Sequence, residues 1–195
     1  MLTSLDQVRA DIHARLAKAA KSRKSPMHTP VVATTDADAR VMVLRAWDRE
    51  ARTLRFHTDA RSPKVAAMRA DGRVGVLFYD APQKVQIRCR GTASVEQEGA
   101  RADAAWGAAS AFARRCYMGA GPGSEAAEPT SGLPASVEGH EPTAQDLLPA
   151  RENFAIVLVQ VASADWLYLA HTGHRRARID LTGNDDAGGS TWLTP

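Results

Sequence analysis

Arg40-Val41-Met42-Val43-Leu44-Arg45 opens the stretch whose reading decides the fold, and Gln86-Ile87-Arg88-Cys89-Arg90-Gly91 closes it. Between them lie Phe56-His57-Thr58-Asp59, Ser62-Pro63-Lys64 and Val74-Gly75-Val76-Leu77-Phe78-Tyr79. The pattern is strand, turn, strand, short helix, strand, strand. Val41 to Trp47 is the first strand, Asp48 to Arg52 a polar hairpin loop, and Thr53 to Thr58 the return. Ser62 caps a helix with Pro63 at its first position, where a missing N–H costs nothing. Val65, Met68 and Arg69 lie along one side of that helix, and Asp71-Gly72 ends it. Arg73 to Tyr79 is nearly all apolar, which predicts a strand buried on both faces. In the next strand, Lys84 to Val95, the two-residue period puts Gln86, Arg88 and Arg90 on one face and Val85, Ile87 and Cys89 on the other.

Working outward, residues 3–24 read as a helix with Leu5, Val8, Ile12, Leu16 and Ala19 on one stripe. Thr3 or Ser4 caps it, Asp6 suits its positive end, and Lys18, Lys21, Arg23 and Lys24 suit the other. Pro30 to Thr35 is a short β-rich run, followed by a turn-like break at residues 36–39. Beyond Gly91, residues 96–118 read as a helix rich in alanine, with Trp106 and Phe112 packing. Residues 119–150 form a loop of Gly, Pro, Ser, Thr and Glu; such a length is uncommon inside a compact domain and is usually functional or disordered. Asn153 to Val161 is an apolar strand, continued by Asp165 to Ala170; His174 to Asp180 follows, then a Gly/Asn/Asp turn and Ser190 to Pro195. The order is mainly β with flanking helices, an α+β chain, and residues 1–195 read as one domain.

Composition is that of an ordinary globular chain, 44% hydrophobic and 24% charged. The net charge of +3 is mild and its arginines are spread out, without the basic stripe and aromatic partners of a nucleic-acid binder. No leader pattern opens the chain and no apolar run is long enough to span a bilayer, so the expectation is a cytoplasmic protein without a membrane partner. The two cysteines, Cys89 and Cys116, have no metal-ligand spacing, and Cys89 reads as a reduced, partly buried thiol. His171 and His174 lack two further ligands nearby, so no metal is expected. Gly119-Ala120-Gly121-Pro122-Gly123 follows a helix rather than a strand, which argues against a nucleotide loop. What remains is a cation set on β structure: Arg40, Arg45, Lys64, Arg88, Arg175 and Arg176, with Thr58, Ser62 and Gln86 as hydrogen-bonders. Guanidinium holds phosphate in a bidentate fork, so this set suits a small anionic ligand. One constraint stands against it. Arg40 and Arg45 have opposite parity, and both reach one ligand only if a strand end or bulge re-aims one of them, or if the ligand lies between chains.

The ordered motifs resemble the pyridoxamine 5′-phosphate oxidase-like family. Its Arg-x-x-Leu-Leu-Lys strand is matched at residues 40–45, its Tyr-Thr-Asn strand end at His57-Thr58-Asp59, and its Ser-Arg-Lys helix start at Ser62-Pro63-Lys64. An apolar strand ending in aromatics is matched at Leu77-Phe78-Tyr79, and Gln-Val-Arg-x-x-Gly at residues 86–91. Ala164-Asp165-Trp166-Leu167 and His174-Arg175-Arg176-Ala177-Arg178 resemble the tryptophan strand and closing arginines. Arg115-Cys116-Tyr117, Gly121-Pro122-Gly123 and Asn153-Phe154 resemble flavin-binding relatives rather than the oxidase proper.

The resemblance implies a split β-barrel with FMN at a homodimer interface. It implies FMN contacts from Arg40, Val41, Met42, Val43, Leu44, Arg45, His57, Thr58, Ser62, Lys64 and Gln86, with Trp166 and Arg176 supplied by the C-terminal segment. Pro63 stands where the family has a phosphate-binding arginine, and Arg61 is the candidate substitute. The oxidase's Tyr-x-x-x-Arg and Arg-x-His substrate motifs have no clear counterpart, which argues against pyridoxamine 5′-phosphate as substrate. The expected activity is therefore FMN-dependent oxidoreduction of another small molecule. The alternatives are a non-catalytic flavin-binding or sensor protein, and a split barrel holding haem or a deazaflavin.

Overall fold

A computed structural model describes residues 2–183 and 189–195. Helix α1 spans Leu5–Lys21. Ser4 caps it by accepting the Gln7 N–H, while the Gln7 side chain reaches back to the Ser4 N–H. Val8, Ile12, Leu16 and Ala19 are buried as the stripe requires, and His13 joins them. The helix stops three residues short of the expected Lys24, where Ser22 turns extended.

Strand β1 is Val31–Thr34 and β2 is Ala39–Val41. The single strand expected over residues 41–47 is two strands: β2 ends at Val41, and β3 runs from Leu44 to Asp48. The chain continues through β4 (Thr53–Asp59), α2 (Pro63–Ala70), β5 (Arg73–Asp80) and β6 (Val85–Glu96). Helices α3 (Ala100–Gly107) and α4 (Ala111–Arg114) follow, then β7 (Phe154–Tyr168), β8 (Arg175–Asp180) and β9 (Thr191–Leu193). The turn expected after Asp180 lies partly outside the described residues.

The pairing is antiparallel throughout, in the order β2-β1-β5-β6-β7-β4-β3, with β8 on β7 and β9 on β8. The outer members of that main order, β2 and β3, are consecutive in the chain and joined by Met42 and Val43 alone. A flat sheet of seven strands would hold its two edges about 29 Å apart. Three Cα steps reach at most about 11 Å. The sheet therefore curls until its edges meet at a seam, giving a half-barrel.

The core lies inside the curl. Leu44, Leu54, Phe56, Phe78, Ile87, Val157 and Val159 are wholly buried there, and α1 closes one side with Ile12 and Leu16. Strand β5 corrects an expectation. Val74, Val76 and Phe78 are buried, but Leu77 is 37% and Tyr79 45% exposed, so only one face of this apolar strand is covered within the chain. On the far side of β4 and β7, α3 covers a second cluster of Ala105, Phe154 and Ile156. The continuous helix expected over residues 96–118 is broken. β6 holds the chain extended through Glu96, Gly99 turns at φ +91°, and Ser110 caps a new helix by accepting the Ala113 N–H. Trp106 packs as expected, but Phe112 is 58% exposed.

Candidate functional site

One corner of the site forms where β4 runs into α2. Thr58 ends the inward row of β4 and is buried, and Ser62 is 2% exposed. Ser62 occupies the N-cap position without capping the helix. Its hydroxyl donates to the Asp59 carbonyl at 2.8 Å and receives the Lys64 Nζ at 3.1 Å; Thr58 Oγ1 lies 3.4 Å away. Lys64 is held in the first turn of α2 with its pKa lowered, first by burial and then by the charge of Arg40. Arg40 donates to the Val32 carbonyl at 3.1 Å and Thr34 Oγ1 at 3.0 Å, and pairs with Asp38. Two cations thus stand close enough for the charge of Arg40 to disfavour that of Lys64, beside two hydroxyls. Arg61 is otherwise engaged: it grips Asp59 at 2.7 Å and the Gly119 carbonyl at 3.0 Å.

The other corner lies across the seam. Leu44 pairs with Phe56 and Ala46 with Arg55, so Arg45 is the extra residue of a β-bulge. The bulge and the break at Met42-Val43 remove the parity constraint. Arg40 sits within electrostatic range of Lys64, and Arg45 within range of His57. Met42 and Leu44 are buried in the core, Val43 is half-buried and Val41 is exposed, so this crossing offers a ligand backbone as much as side chains. His57 packs edge-on against Phe154 at 5.0 Å, and its pKa falls to about 4 through burial, then through Arg45 and Arg55. It is a neutral imidazole at pH 7, with Nε2 unpartnered among the described residues.

A third group occupies the outer face of β6, β7 and β8. Arg88 reaches Asp165 at 2.7 Å, and Arg176 grips the same carboxylate at 2.8 and 3.1 Å. Burial pushes the Asp165 pKa up, but the two guanidiniums outweigh it and the net shift is downward. Gln86 and Arg88 are two residues apart on this face, across from Leu167 and Asp165. Trp166 points the other way. It is buried, and its indole N–H donates to Asp11 at 2.9 Å, at a cleft of about 600 Å³ shared with Tyr168 and His171. Within one chain, then, Arg40, Thr58, Ser62 and Lys64 come together, as do Arg45 with His57 and Arg88 with Arg176, while Trp166 stands apart.

Two participants were missed from the sequence. Arg55 shares the outward face of β4 with His57, a signal the two-residue period contained. Asp165, which ties Arg88 to Arg176, carried no local signal.

Residues 9–97 match the family described as "Pyridoxamine 5'-phosphate oxidase, FMN-binding domain". That span runs from α1 to just past β6 and includes both corners of the seam. A pyridoxamine 5′-phosphate oxidase-related, FMN-binding protein of Nostoc punctiforme superposes with a TM-score of 0.75 at 21% identity, over 99% of this chain and 100% of its own. PhzG of Burkholderia lata, solved with tetrahydrophenazine-1-carboxylic acid, superposes at 0.64 with 19% identity, over 99% and 94%. A general stress protein 26-related protein of Clostridium acetobutylicum superposes at 0.57 with 10% identity, over 91% and 97%. Identities this low speak to the fold, which is the split barrel. No curated protein matches the chain by sequence.

Proposed function

We propose that this chain, a split barrel whose residues 9–97 match the pyridoxamine 5′-phosphate oxidase FMN-binding domain, belongs to that family, binds FMN and acts as a flavin-dependent oxidoreductase on a small molecule. The observation that carries the proposal is the corner of Arg40, Lys64, Ser62 and Thr58. The charge of Arg40 lowers the pKa of Lys64 there, and a phosphate dianion would relieve that repulsion while accepting from both. The donor set fits the group. Lys64 and Arg40 hold the phosphate, and the Ser62 and Thr58 hydroxyls lie beside it. From half-buried Val43 the chain runs on to Arg45, beside His57, and these two would face the polar edge of the ring. Bound FMN supplies the redox chemistry. Arg45 would place fixed positive charge near the ring, and His57, neutral with one N–H and one acceptor nitrogen, would offer a hydrogen bond without adding charge.

A second copy of the chain completes this reading. An all-apolar strand implies cover on both faces, and β5 has it on one. Leu77 and Tyr79 together with Val41, 63% exposed, give the partner an apolar surface next to the seam. Gln86 and Arg88 pair across from Tyr79 and Leu77, with Arg176 two strands further on, so a homodimer through this face would bring the partner's closing arginines towards the flavin.

The test is direct. Purified protein is expected to be yellow, to release FMN on denaturation and to rebind it stoichiometrically. Protein that stays colourless and ignores added FMN removes the proposal. Turnover with a reductant and an acceptor, compared with free FMN, separates the enzyme from a flavin carrier or sensor.

A further inference from the structure

The outer side of the seam holds a cleft of about 370 Å³ between β3–β4 and the α3–α4 turn. Arg45, Arg55 and His57 line it from the sheet, and Arg23, just past α1, lines it from one rim. The facing wall is made of alanine methyls, Ala105 and Ala109 among them, and closes on Tyr117. Among the described residues no carboxylate lines this cleft, and none pairs with any of the three arginines. The Nε atoms of Arg45 and Arg55 and the Nε2 of His57 are shielded from solvent and lack a hydrogen-bond partner. Other arginines of the fold are spoken for: Arg61 by Asp59, Arg88 and Arg176 by Asp165, Arg15 by Asp11 and Asp80. Arg90 lines the cleft beside β1 and β5 with Arg73, which pairs with Asp71, whereas three guanidiniums gather here.

Three guanidiniums gathered without a counter-ion are what a multiply charged oxyanion would repay. A single negative charge, such as the edge of a reduced flavin ring, leaves two of them uncompensated. The charges acting on His57 are both cationic, and the imidazole stays neutral, so it adds a hydrogen-bonding nitrogen rather than a fourth charge. Burial above all raises the Tyr117 hydroxyl to about 12, keeping it an O–H donor at neutral pH. Small methyl side chains opposite these donors leave a shallow apolar wall against which a planar or compact carbon skeleton lies.

We propose that this cleft recognises a small molecule bearing two or more anionic oxygen groups, carboxylate or phosphate, through Arg23, Arg45 and Arg55. In taking that molecule as the substrate of the adjoining flavin, the inference rests on the flavin reading above. Arg23 and Arg55 act on the substrate alone, which separates them from the phosphate corner at Lys64.

Titration calorimetry on flavin-free and FMN-loaded protein, at fixed ionic strength, tests this with acetate, benzene-1,3-dicarboxylate, citrate and phenyl phosphate. The dianions and citrate are expected to bind at least about tenfold more tightly than acetate, and Arg55→Ala to weaken them by about ten- to a hundredfold. Preference for the dicarboxylate or for phenyl phosphate identifies the oxyanion. Arg23→Ala, outside the sheet, is the companion variant should Arg55→Ala fail to fold; it is expected to weaken the same ligands while FMN affinity holds. Equal, weak binding of all four probes, or dianion affinity indifferent to both variants, overturns the inference. A shift in flavin potential in Arg55→Ala without loss of dianion binding also overturns it, because the arginine then serves the ring. FMN uptake, followed by absorbance in the same samples, keeps the two claims apart. Dianion preference without FMN uptake supports the cleft and removes the flavin, whereas FMN uptake without dianion preference does the reverse.

Discussion

Lys64 shows how a local sequence signal becomes a site. Its position in the first turn of α2 follows from Ser62 and Pro63, which start the helix there. Its ammonium is then pressed against a buried hydroxyl by its own backbone. Lys64→Ala is expected to weaken FMN binding by about 1.5–3 kcal/mol, the range for a hydrogen bond to a charged group. Fluorescence titration of FMN measures this, and an unchanged affinity takes Lys64 out of the site. Arg61 was read as a candidate for the missing phosphate arginine, and its grip on Asp59 and Gly119 is a tertiary fact that no spacing revealed. His57 makes a prediction in pH. Its folded pKa of about 4 lies below its ordinary value of 6.5. The unfolded chain therefore takes up a proton between those values that the folded chain refuses. Stability should fall as pH drops from about 6.5 towards 4, and His57→Gln should flatten that slope. Urea midpoints measured across the range decide it; identical slopes would mean the imidazole charges freely in the fold.

At the scale of elements, periodicity located β1, β4, β5, β6, β8 and α2 within a residue or two, because each carries its signal along its own length. It failed where the deciding contact is remote. Residues 41–47 are apolar but for Arg45, yet the chain leaves one sheet edge at Val41 and joins the other at Leu44. The bulge at Arg45 is set by pairing with β4, which no reading of β3 alone contains. Alanine content argued for one helix over 96–118, and Gly99 and the Ser110 cap overrode it. Gly91 marks another remote constraint. It sits at the register shift of β6 on β7, where a Cβ would come within 2.2 Å of the Gln160 carbonyl oxygen. Gly91→Ala is expected to cost about 1–3 kcal/mol or more, the range for overpacking, since backbone rather than a flexible side chain is in the way. Chemical denaturation checks it, and a loss under about 0.5 kcal/mol, the scale of an innocuous substitution, would show that β7 yields there.

For the whole molecule, the face of β5 bearing Leu77 and Tyr79, expected to be buried, is open within one chain and continuous with exposed Val41; in the proposed homodimer a second copy would cover it. The double substitution Leu77→Glu, Tyr79→Glu is expected to yield a folded monomer with FMN affinity reduced at least about tenfold, the loss of one hot-spot contribution. Light scattering, circular dichroism and FMN titration measure the three parts. A dimer that survives both charges places the partner elsewhere. Met42 and Val43 are the two residues that bring the sheet's margins within reach of each other. The proposed ligand, held by Arg40 on one margin with Lys64 beside it and by Arg45 on the other, would act as a clasp, fastening what this short crossing otherwise holds alone. If FMN is that ligand, its supply would set the durability of the barrel: free ligand at a hundred times its dissociation constant adds about 2.7 kcal/mol against unfolding. A cell short of flavin would carry a protein that opens along this line first.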